Sequence, residues 1–344
     1  MIARMMGNGA SEVAETARTV AIYSLGGTIA MTTDPTTGGV VPALSAHDLL
    51  ATVPGLDVLG IDLRVHDFCR VPGASLTLGD LAALSEAVNA MLEGGEVDGV
   101  VVTQGTDTIE ETAFFLDLCH AHEAPVIVTG AMRNPTMAGP DGPGNLYAAV
   151  VAAADPKLRG TGCLVVMGDE IHAARHVRKS HTTSPAAFTS PGAGPLGRIA
   201  EDRVHLVGRL PDRPAAMKPL VQGARVGFYT VSLGDDGALL GLWADACDGL
   251  VVAAFGAGHV PQQLVDPLER LVVRIPVVLA SRIGNGPVLT HTYGFAGSET
   301  DLIKRGLIPA GALGPYQARL LLHQLIAQGT DRSAIEAVFA TFAR

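Results

Sequence analysis

The chain has 344 residues, 48% of them apolar and only 4% aromatic, and its formal net charge is −10. This length predicts about two domains and a core large enough to need no metal or disulfide. The acidic balance, with no Lys/Arg run longer than two, argues against a nucleic-acid-binding protein, because phosphate binding requires a clustered basic surface.

The cysteines and the start of the chain indicate the compartment. The four cysteines lie far apart without a C-x-x-C pair, which is typical of reduced, mostly buried thiols. Residues 1–17 contain no apolar block of signal-peptide length, and no stretch reaches the roughly 18 apolar residues of a membrane span. We therefore expect a cytoplasmic protein with a flexible tail over 1–17 and no membrane contact.

Short β-branched runs alternate along the chain with amphipathic stretches. Continuous runs suit strands buried on both faces, and strand-then-helix repetition predicts an α/β sheet covered on both sides. The predicted strands are Thr19–Leu25, Gly99–Thr103, Pro125–Thr129, Gly162–Met167, Ala224–Val231, Gly249–Phe255 and Ile275–Ala280. The predicted helices are Asp80–Leu92, Asp107–His122, Asn145–Ala154, Pro261–Leu271 and Tyr316–Ala327.

A lapse in this pattern marks a domain boundary. Prolines and glycines without a sustained period fill 191–219, which indicates an interdomain linker. After the tail, we expect a larger N-terminal catalytic α/β domain over 18–193, with a mainly parallel sheet. A linker over 194–220 and a smaller C-terminal α/β domain over 221–344 follow.

Three polar segments follow predicted strands, and ligands of open parallel sheets collect at the carboxyl ends of strands. The first segment, Ser24–Ala30, presents two glycines and then Thr28. The glycines permit a sharp turn and leave N–H groups for an oxyanion, although Gly-Gly-Thr is also ordinary turn chemistry.

The second segment, Thr103–Thr108, offers hydroxyls and a carboxylate at the start of a helix. A simpler interpretation is also available. Asp107 with Glu110, or Thr108 with Glu111, fits a helix N-cap with its capping box.

The third segment, Arg175–Thr182, carries Lys179 among other cations. A charge cluster is usually a solvated face, whereas a lysine near cations and hydroxyls can serve as a base. A threonine hydroxyl is a poor nucleophile unless a base takes its proton. Thr28, Asp107 and Lys179 meeting at one sheet edge would therefore form a hydrolytic site, but spacing alone leaves that convergence open.

Several stretches resemble the bacterial-type L-asparaginase family. They include GGTIA at 26–30, GTDTIEETAFFLDL at 105–118, PVIVTGAMRNP at 125–135 and AGALGPYQARLLLHQL at 310–325. The resemblance implies a large N-terminal α/β domain, a smaller C-terminal one and a homotetramer built from intimate dimers. It also implies active sites shared between neighbouring subunits, with no metal or organic cofactor.

The resemblance further implies hydrolysis of a side-chain amide through an acyl-enzyme. By position, Thr28 matches the nucleophile. Thr106, Asp107 and Lys179 match the second hydroxyl, its aspartate and its lysine. The implied substrate-binding positions are Gly27, Gly73, Ala74, Ser75 and Gly105.

Some positions depart from the family pattern. Gln104 stands where the family usually has His before GTDT. Gly73 and Ala74 stand where a Ser-Gln or similar pair holds the α-carboxylate and α-amine of the substrate. The 31–42 loop, which corresponds to a mobile flap, contains no Tyr, and Tyr293 is a candidate to supply that phenol.

The groups that break the amide are thus present, while several that grip the amino-acid head are missing. The expected function is an asparaginase that hydrolyses L-asparagine to L-aspartate and ammonia through a threonine acyl-enzyme. Two alternatives stay open. One is a same-fold amidohydrolase acting on a different small amide, and the other is a non-catalytic small-molecule-binding protein on the same scaffold.

Overall fold

The N-terminal part of the chain alternates strands with helices. The computed structural model describes residues 17–27, 29, 31–33, 40–42, 45–210 and 213–343. The strands of this part are β1 (Arg18–Ser24), β2 (Met31–Thr33), β3 (Val40–Pro42), β4 (Ile61–Asp67), β5 (Gly99–Thr103), β6 (Val126–Thr129), β7 (Cys163–Met167), β8 (Glu170–Ala173), β9 (Arg178–Lys179), β10 (Phe188–Thr189), β11 (Gly197–Ala200) and β12 (Arg203–Leu206). Its helices are α1 (Ala46–Ala51), α2 (Leu78–Glu93), α3 (Ile109–Cys119) and α4 (Gly142–Ala154).

An eight-stranded sheet forms the core of this part, in the order β12-β11-β8-β7-β6-β5-β1-β4. The strands from β7 to β4 pair in parallel, whereas β8, β11 and β12 extend the sheet antiparallel. Side chains of β1 alternate between the two faces, with Val20 and Ile22 clustering with α4. Ala21 and Tyr23 cluster with α2 and α3. Both faces are therefore covered, as expected for central parallel strands.

The C-terminal part repeats this architecture on a smaller scale. Its strands are β13 (Val226–Thr230), β14 (Gly249–Ala254), β15 (Val277–Ser281) and β16 (Ile308–Pro309), which pair in parallel in that order. Its helices are α5 (Leu240–Ala246), α6 (Val265–Val272), α7 (Glu299–Lys304), α8 (Pro315–Ala327) and α9 (Arg332–Ala340). Phe114 and Phe115 of α3 share a buried cluster with Leu321 of α8, so apolar packing joins the two parts. In the described part of the chain, no helix is long and apolar enough to cross a bilayer.

The predicted α/β fold is confirmed, but the segment expected to start the linker is built into the large sheet. Strands β11 and β12 lie at 197–206 and pair with β8 through β11. Glu201 and Asp202 form the two-residue turn between them with φ of 48° and 58°. Such turns usually carry Asn-Gly, so Glu-Asp gives no hairpin signal in the sequence. The linker expected from 194 therefore starts too early.

Candidate active site

Four loops meet backbone to backbone at the carboxyl ends of the parallel strands. Gly27 follows β1 with φ of +82°, and a Cβ atom there would overlap the backbone of Gly105, which follows β5. A Cβ at Gly73, after β4, would lie 2.9 Å from the carbonyl oxygen of Gly105. A Cβ at Gly130, after β6, would lie 2.5 Å from the carbonyl oxygen of Gln104. Glycine at these positions is what allows the loops to pack this closely.

Lys179 reaches this edge of the sheet from the short strand β9, where it pairs with Phe188 of β10. Its Nζ donates hydrogen bonds to Thr106 Oγ1 at 3.0 Å and to Asp107 Oδ1 at 2.8 Å. Thr106 is buried, whereas the side chain of Asp107 is 63% exposed. Because Thr106 Oγ1 accepts from Lys179, its own proton is free to be donated to a ligand or to water.

The polar side chains of the second segment, Thr103–Thr108, link the loops rather than cap helix α3. Gln104 Nε2 donates to Gly105 O and to Thr108 Oγ1, both at 3.2 Å, and Thr108 Oγ1 donates to Gly73 O at 3.1 Å. Helix α3 begins after a 3₁₀ turn over Thr106–Thr108, and Thr108 makes no side-chain capping bond. The capping-box interpretation is therefore wrong. Gln104, which stands where the resemblance implies a His, is fully buried.

A buried charge pair that no sequence pattern predicts lies next to this cluster. Glu110 of α3 and Arg178 of β9 approach to 3.9 Å, with their side chains only 12% and 15% exposed. Burial raises the pKa of Glu110, although the Arg178 charge acts in the opposite direction. Burial also lowers the pKa of Arg178. Arg175 is buried too, so this stretch is not the solvated face that a charge cluster usually forms.

The remaining predicted site residues lie elsewhere or outside the described chain. Thr28, the predicted nucleophile, is outside the described residues. Ala74 and Ser75 are exposed on the 3₁₀ turn that begins at Gly73. The ring of Tyr293 packs against His259 at 4.8 Å between ring centroids, in the C-terminal part of the chain.

A cleft of about 340 Å³ opens between the two parts of the chain beside Lys179. Its walls combine charged side chains of the N-terminal part with aromatic rings of the C-terminal part. Among the lining residues are Glu110, Arg178, Lys179, Phe228, Arg282 and Tyr316. At this cleft, the C-terminal part of the chain lies next to β9, the strand that carries Lys179.

Comparison with known proteins identifies relatives over most of the chain. Residues 19–211 match the N-terminal asparaginase domain, and residues 225–339 match the glutaminase/asparaginase C-terminal domain. The chain is 39% identical to a probable L-asparaginase of Deinococcus radiodurans, with 93% of this chain and 96% of that protein covered. It is 34% identical to a probable periplasmic L-asparaginase of Haemophilus influenzae, with 94% and 93% covered.

A solved structure gives the same result for the fold. The crystal structure of a probable cytoplasmic L-asparaginase from Campylobacter jejuni superposes with a TM-score of 0.83 at 30% identity. The match covers 94% of this chain and 99% of that one. With both domains matched in order and the hydroxyl, carboxylate and lysine of its motifs in contact, the chain belongs to the asparaginase family.

Proposed function

We propose that this protein is an amidohydrolase that converts L-asparagine to L-aspartate and ammonia. The observation that carries the proposal is the contact of Lys179 Nζ with Thr106 Oγ1 and Asp107 Oδ1 at the carboxyl end of the sheet. A lysine bonded to a buried hydroxyl and held by a carboxylate suits proton transfer through that hydroxyl. The choice of substrate is supported by the relatives, which are named as probable L-asparaginases.

In the proposed reaction, the Thr28 hydroxyl attacks the amide carbon of the substrate, and its proton passes to the departing nitrogen. The carbon–nitrogen bond breaks, ammonia leaves, and an aspartyl ester remains on Thr28. Water then attacks this ester while its proton is relayed through the Thr106 hydroxyl to the Lys179 amine. The bond between the acyl carbon and the Thr28 oxygen breaks, L-aspartate leaves, and the proton returns to the Thr28 oxygen. Asp107 keeps the lysine amine in place, and the backbone N–H groups of Gly26 and Gly27 are the proposed donors to the developing oxyanion.

The amino-acid head of the substrate has two proposed anchors. Asp107 is the exposed member of the cluster, so its carboxylate is available to bind an α-ammonium group. The exposed turn over Gly73–Ser75 offers the Ser75 hydroxyl for an α-carboxylate, whereas Ala74 brings no polar side chain. The lack of a polar group at Ala74 favours a different small amide as the second candidate substrate.

A homotetramer is proposed as the active assembly. The family resemblance supports it, and so do the exposed rings of Tyr293 and Phe295 beside His259, because aromatic side chains are enriched in protein interfaces. We expect a tetramer in sedimentation velocity and loss of activity on dissociation. A monomer with full activity would contradict this assembly and would remove any role for a neighbour's Tyr293.

The cytoplasm is the proposed compartment. All four cysteines are free thiols, which is typical of a reducing compartment, and the Campylobacter relative is named cytoplasmic. The Haemophilus relative is named periplasmic, so the family occurs in both compartments by name. Fractionation of cells into periplasmic and cytoplasmic extracts, followed by detection of the chain, tests the proposal.

The function is tested by ammonia release from L-asparagine, D-asparagine, L-glutamine and simple amides. We expect the highest kcat/KM on L-asparagine and no turnover in Thr28→Ala. Turnover confined to another amide would favour the altered-substrate candidate. A folded protein that releases ammonia from none of these amides would contradict the enzyme and leave the binding protein.

A further inference from the structure

Arg175 is a buried cation at the junction of the two parts of the chain. It lies two residues after β8, is only 8% exposed, and has no task in the proposed reaction. A charged side chain is almost never buried to this degree unless it is paired. The groups around Arg175 therefore indicate what balances its charge.

Two donors of Arg175 identify the kind of partner. The N–H groups at Nε and Nη2 have no hydrogen-bond acceptor among the described residues. These two nitrogens share one edge of the planar guanidinium group, so a single anion can accept hydrogen bonds from both. One face of the group lies over the ring of Phe342, with Cζ 5.8 Å from the ring centroid. The edge with Nε and Nη2 is thus the part of Arg175 that is available to an anion.

Of the described residues, the carboxylates near Arg175 are engaged by other cations. Oδ1 of Asp117 lies 3.0 Å from Nε of Arg213. Burial lowers the pKa of Arg175, and the Asp117 charge offsets this effect only in part. Glu110 lies 3.9 Å from the neighbouring cation Arg178, which is too far for a hydrogen bond. Two buried guanidinium groups of one segment are thus incompletely paired.

Arg175 and Arg178 both line a small cavity where the two parts of the chain meet. Its wall combines their segment with the loop after β15 and the turn before α8. The polar side chains of this wall also include His176, Ser281 and Asn285, and no carboxylate stands among its described residues. The volume of the cavity is about 30 Å³, which is the share of one water molecule in the liquid. This size admits one small ion and excludes a molecule as large as an amino acid.

The cavity is distinct from the larger cleft beside Lys179, although Arg178 lines both. A Cβ atom on Gly314 would overlap the guanidinium of Arg178, so glycine at this position leaves room for the arginine. The cleft also contains Glu110, whose carboxylate repels an anion, and Arg282, which does not line the cavity. The charges therefore favour the cavity over the cleft as the place for an anion.

We propose that this cavity binds a single halide-sized anion, held by Nε and Nη2 of Arg175 with Arg178 as the second cation. The anion balances the charge of the buried arginines. It also joins the segment that leads into β9 to two loops of the C-terminal part. Because such an anion binds the folded chain and not the unfolded one, chloride is expected to stabilise the protein.

Bromide tests the site directly, because it replaces chloride and scatters X-rays anomalously. In crystals of the wild-type protein grown in sodium bromide, we expect an anomalous peak in the cavity within hydrogen-bonding reach of Nε and Nη2 of Arg175. A peak in the cleft beside Lys179, or none at either place, would overturn the site.

The second measurement is Tm in sodium chloride and in sodium gluconate at equal ionic strength. The wild-type Tm should rise with chloride concentration, by roughly 2 °C at about ten times the Kd. Arg175→Met removes both donors at similar side-chain length and should abolish the rise and the bromide peak. Arg282→Met, which changes an arginine of the cleft alone, is the matched control and should keep both.

An equal rise of Tm in Arg175→Met would overturn the site, because it indicates a general effect of salt. Loss of the rise in Arg282→Met would do the same, since it assigns the anion to the cleft. If Arg175→Met does not fold, Arg175→Lys replaces it, because lysine keeps the charge without the two-donor edge. The rise in Arg175→Lys should then require a higher chloride concentration than in wild type, and an unchanged concentration dependence would contradict the role of that edge.

Discussion

At the scale of single residues, the site depends on a hydroxyl that is buried and a carboxylate that is not. The methyl group of Thr106 packs against Gly130, where a Cβ atom would lie 3.3 Å from that methyl group. The oxygen of Thr106 accepts a hydrogen bond from Lys179. Packing of the methyl group fixes the rotamer, so the hydroxyl points at the lysine without a large entropic cost. The methyl group and the hydroxyl of Thr106 therefore have separable tasks.

This separation predicts different outcomes for two substitutions of Thr106. Thr106→Val keeps the packing and removes the hydroxyl, so we expect kcat on L-asparagine to fall by about 100- to 10,000-fold, as for loss of a proton-transfer group. Thr106→Ser keeps the hydroxyl and should stay within about 10-fold of wild type. Steady-state ammonia release measures both, and a Thr106→Val enzyme as active as Thr106→Ser would contradict the role of the hydroxyl.

The sequence predicted Thr106, Asp107 and Lys179 because each follows a strand or belongs to a recognisable motif. It did not predict the pairing of Glu110 with Arg178, since a contact between two distant segments leaves no periodic pattern along the chain. It also could not assign Thr108, whose hydroxyl was equally suited to a helix cap and in fact donates to Gly73 O.

At the scale of elements, the loops after β1, β4, β5 and β6 form the site by direct backbone contact. Gly27 is the most constrained point, because it combines a left-handed φ with contact to Gly105. Gly60, in the turn before β4, has a similar φ of +65° but nothing within 4 Å of its Cβ position. Substitutions at these two glycines therefore distinguish the cost of a left-handed backbone conformation from the cost of losing close packing between loops.

We therefore expect Gly27→Ala and Gly60→Ala to behave differently. Each substitution places alanine in the left-handed region, at a cost of roughly 1–2 kcal/mol. Only Gly27→Ala also pushes two loops apart, so its kcat/KM should fall by about 100-fold or more, in line with misplacement of a catalytic group. Ammonia release and thermal unfolding measure the two effects. Equal activity of the two variants would contradict the close approach of the loops.

The strands that the sequence predicted are central ones, apart from the edge strand β13, and those it did not predict are mostly at the edges. All seven predicted strands are present, because continuous apolar runs mark strands buried on both faces. The edge strand β4, with Ile61, Leu63 and Val65 between polar residues, has no such run. The short β9 carries only Arg178 and Lys179, and its pairing with β10 depends on tertiary contacts.

At the scale of the whole molecule, burial lowers the pKa of several histidines and so favours their neutral form. Burial lowers the pKa of His120 to about 4, and the nearby Arg213 acts in the same direction. Burial likewise lowers the pKa of His172, His176 and His323. A histidine that is neutral in the folded state stabilises the protein at pH values above its unfolded pKa of about 6.5, and this stability is lost as the pH falls toward the folded pKa.

We expect His120 alone to account for about 2 kcal/mol of lost stability between pH 7 and pH 5, because the unfolded chain takes up the proton and the folded chain does not. His120→Gln should remove that part of the pH dependence while still donating to Ala124 O, the partner of His120 Nε2 at 2.8 Å. Urea unfolding at a series of pH values and fixed protein concentration measures this pH dependence of stability. The control is His205→Gln, which changes an exposed histidine. The same pH dependence of the free energy of unfolding in both variants would contradict the contribution assigned to His120.

The catalytic role of Lys179 is tested most directly by kcat for ammonia release from L-asparagine in Lys179→Met. Lys304→Met, which changes an exposed lysine of α7, is the matched control. We expect a loss of about 100- to 10,000-fold in Lys179→Met and wild-type kcat in the control, since proton transfer by a positioned group contributes that much. A folded Lys179→Met enzyme within about 10-fold of wild type would contradict the assignment of Lys179, Thr106 and Asp107 as the catalytic cluster.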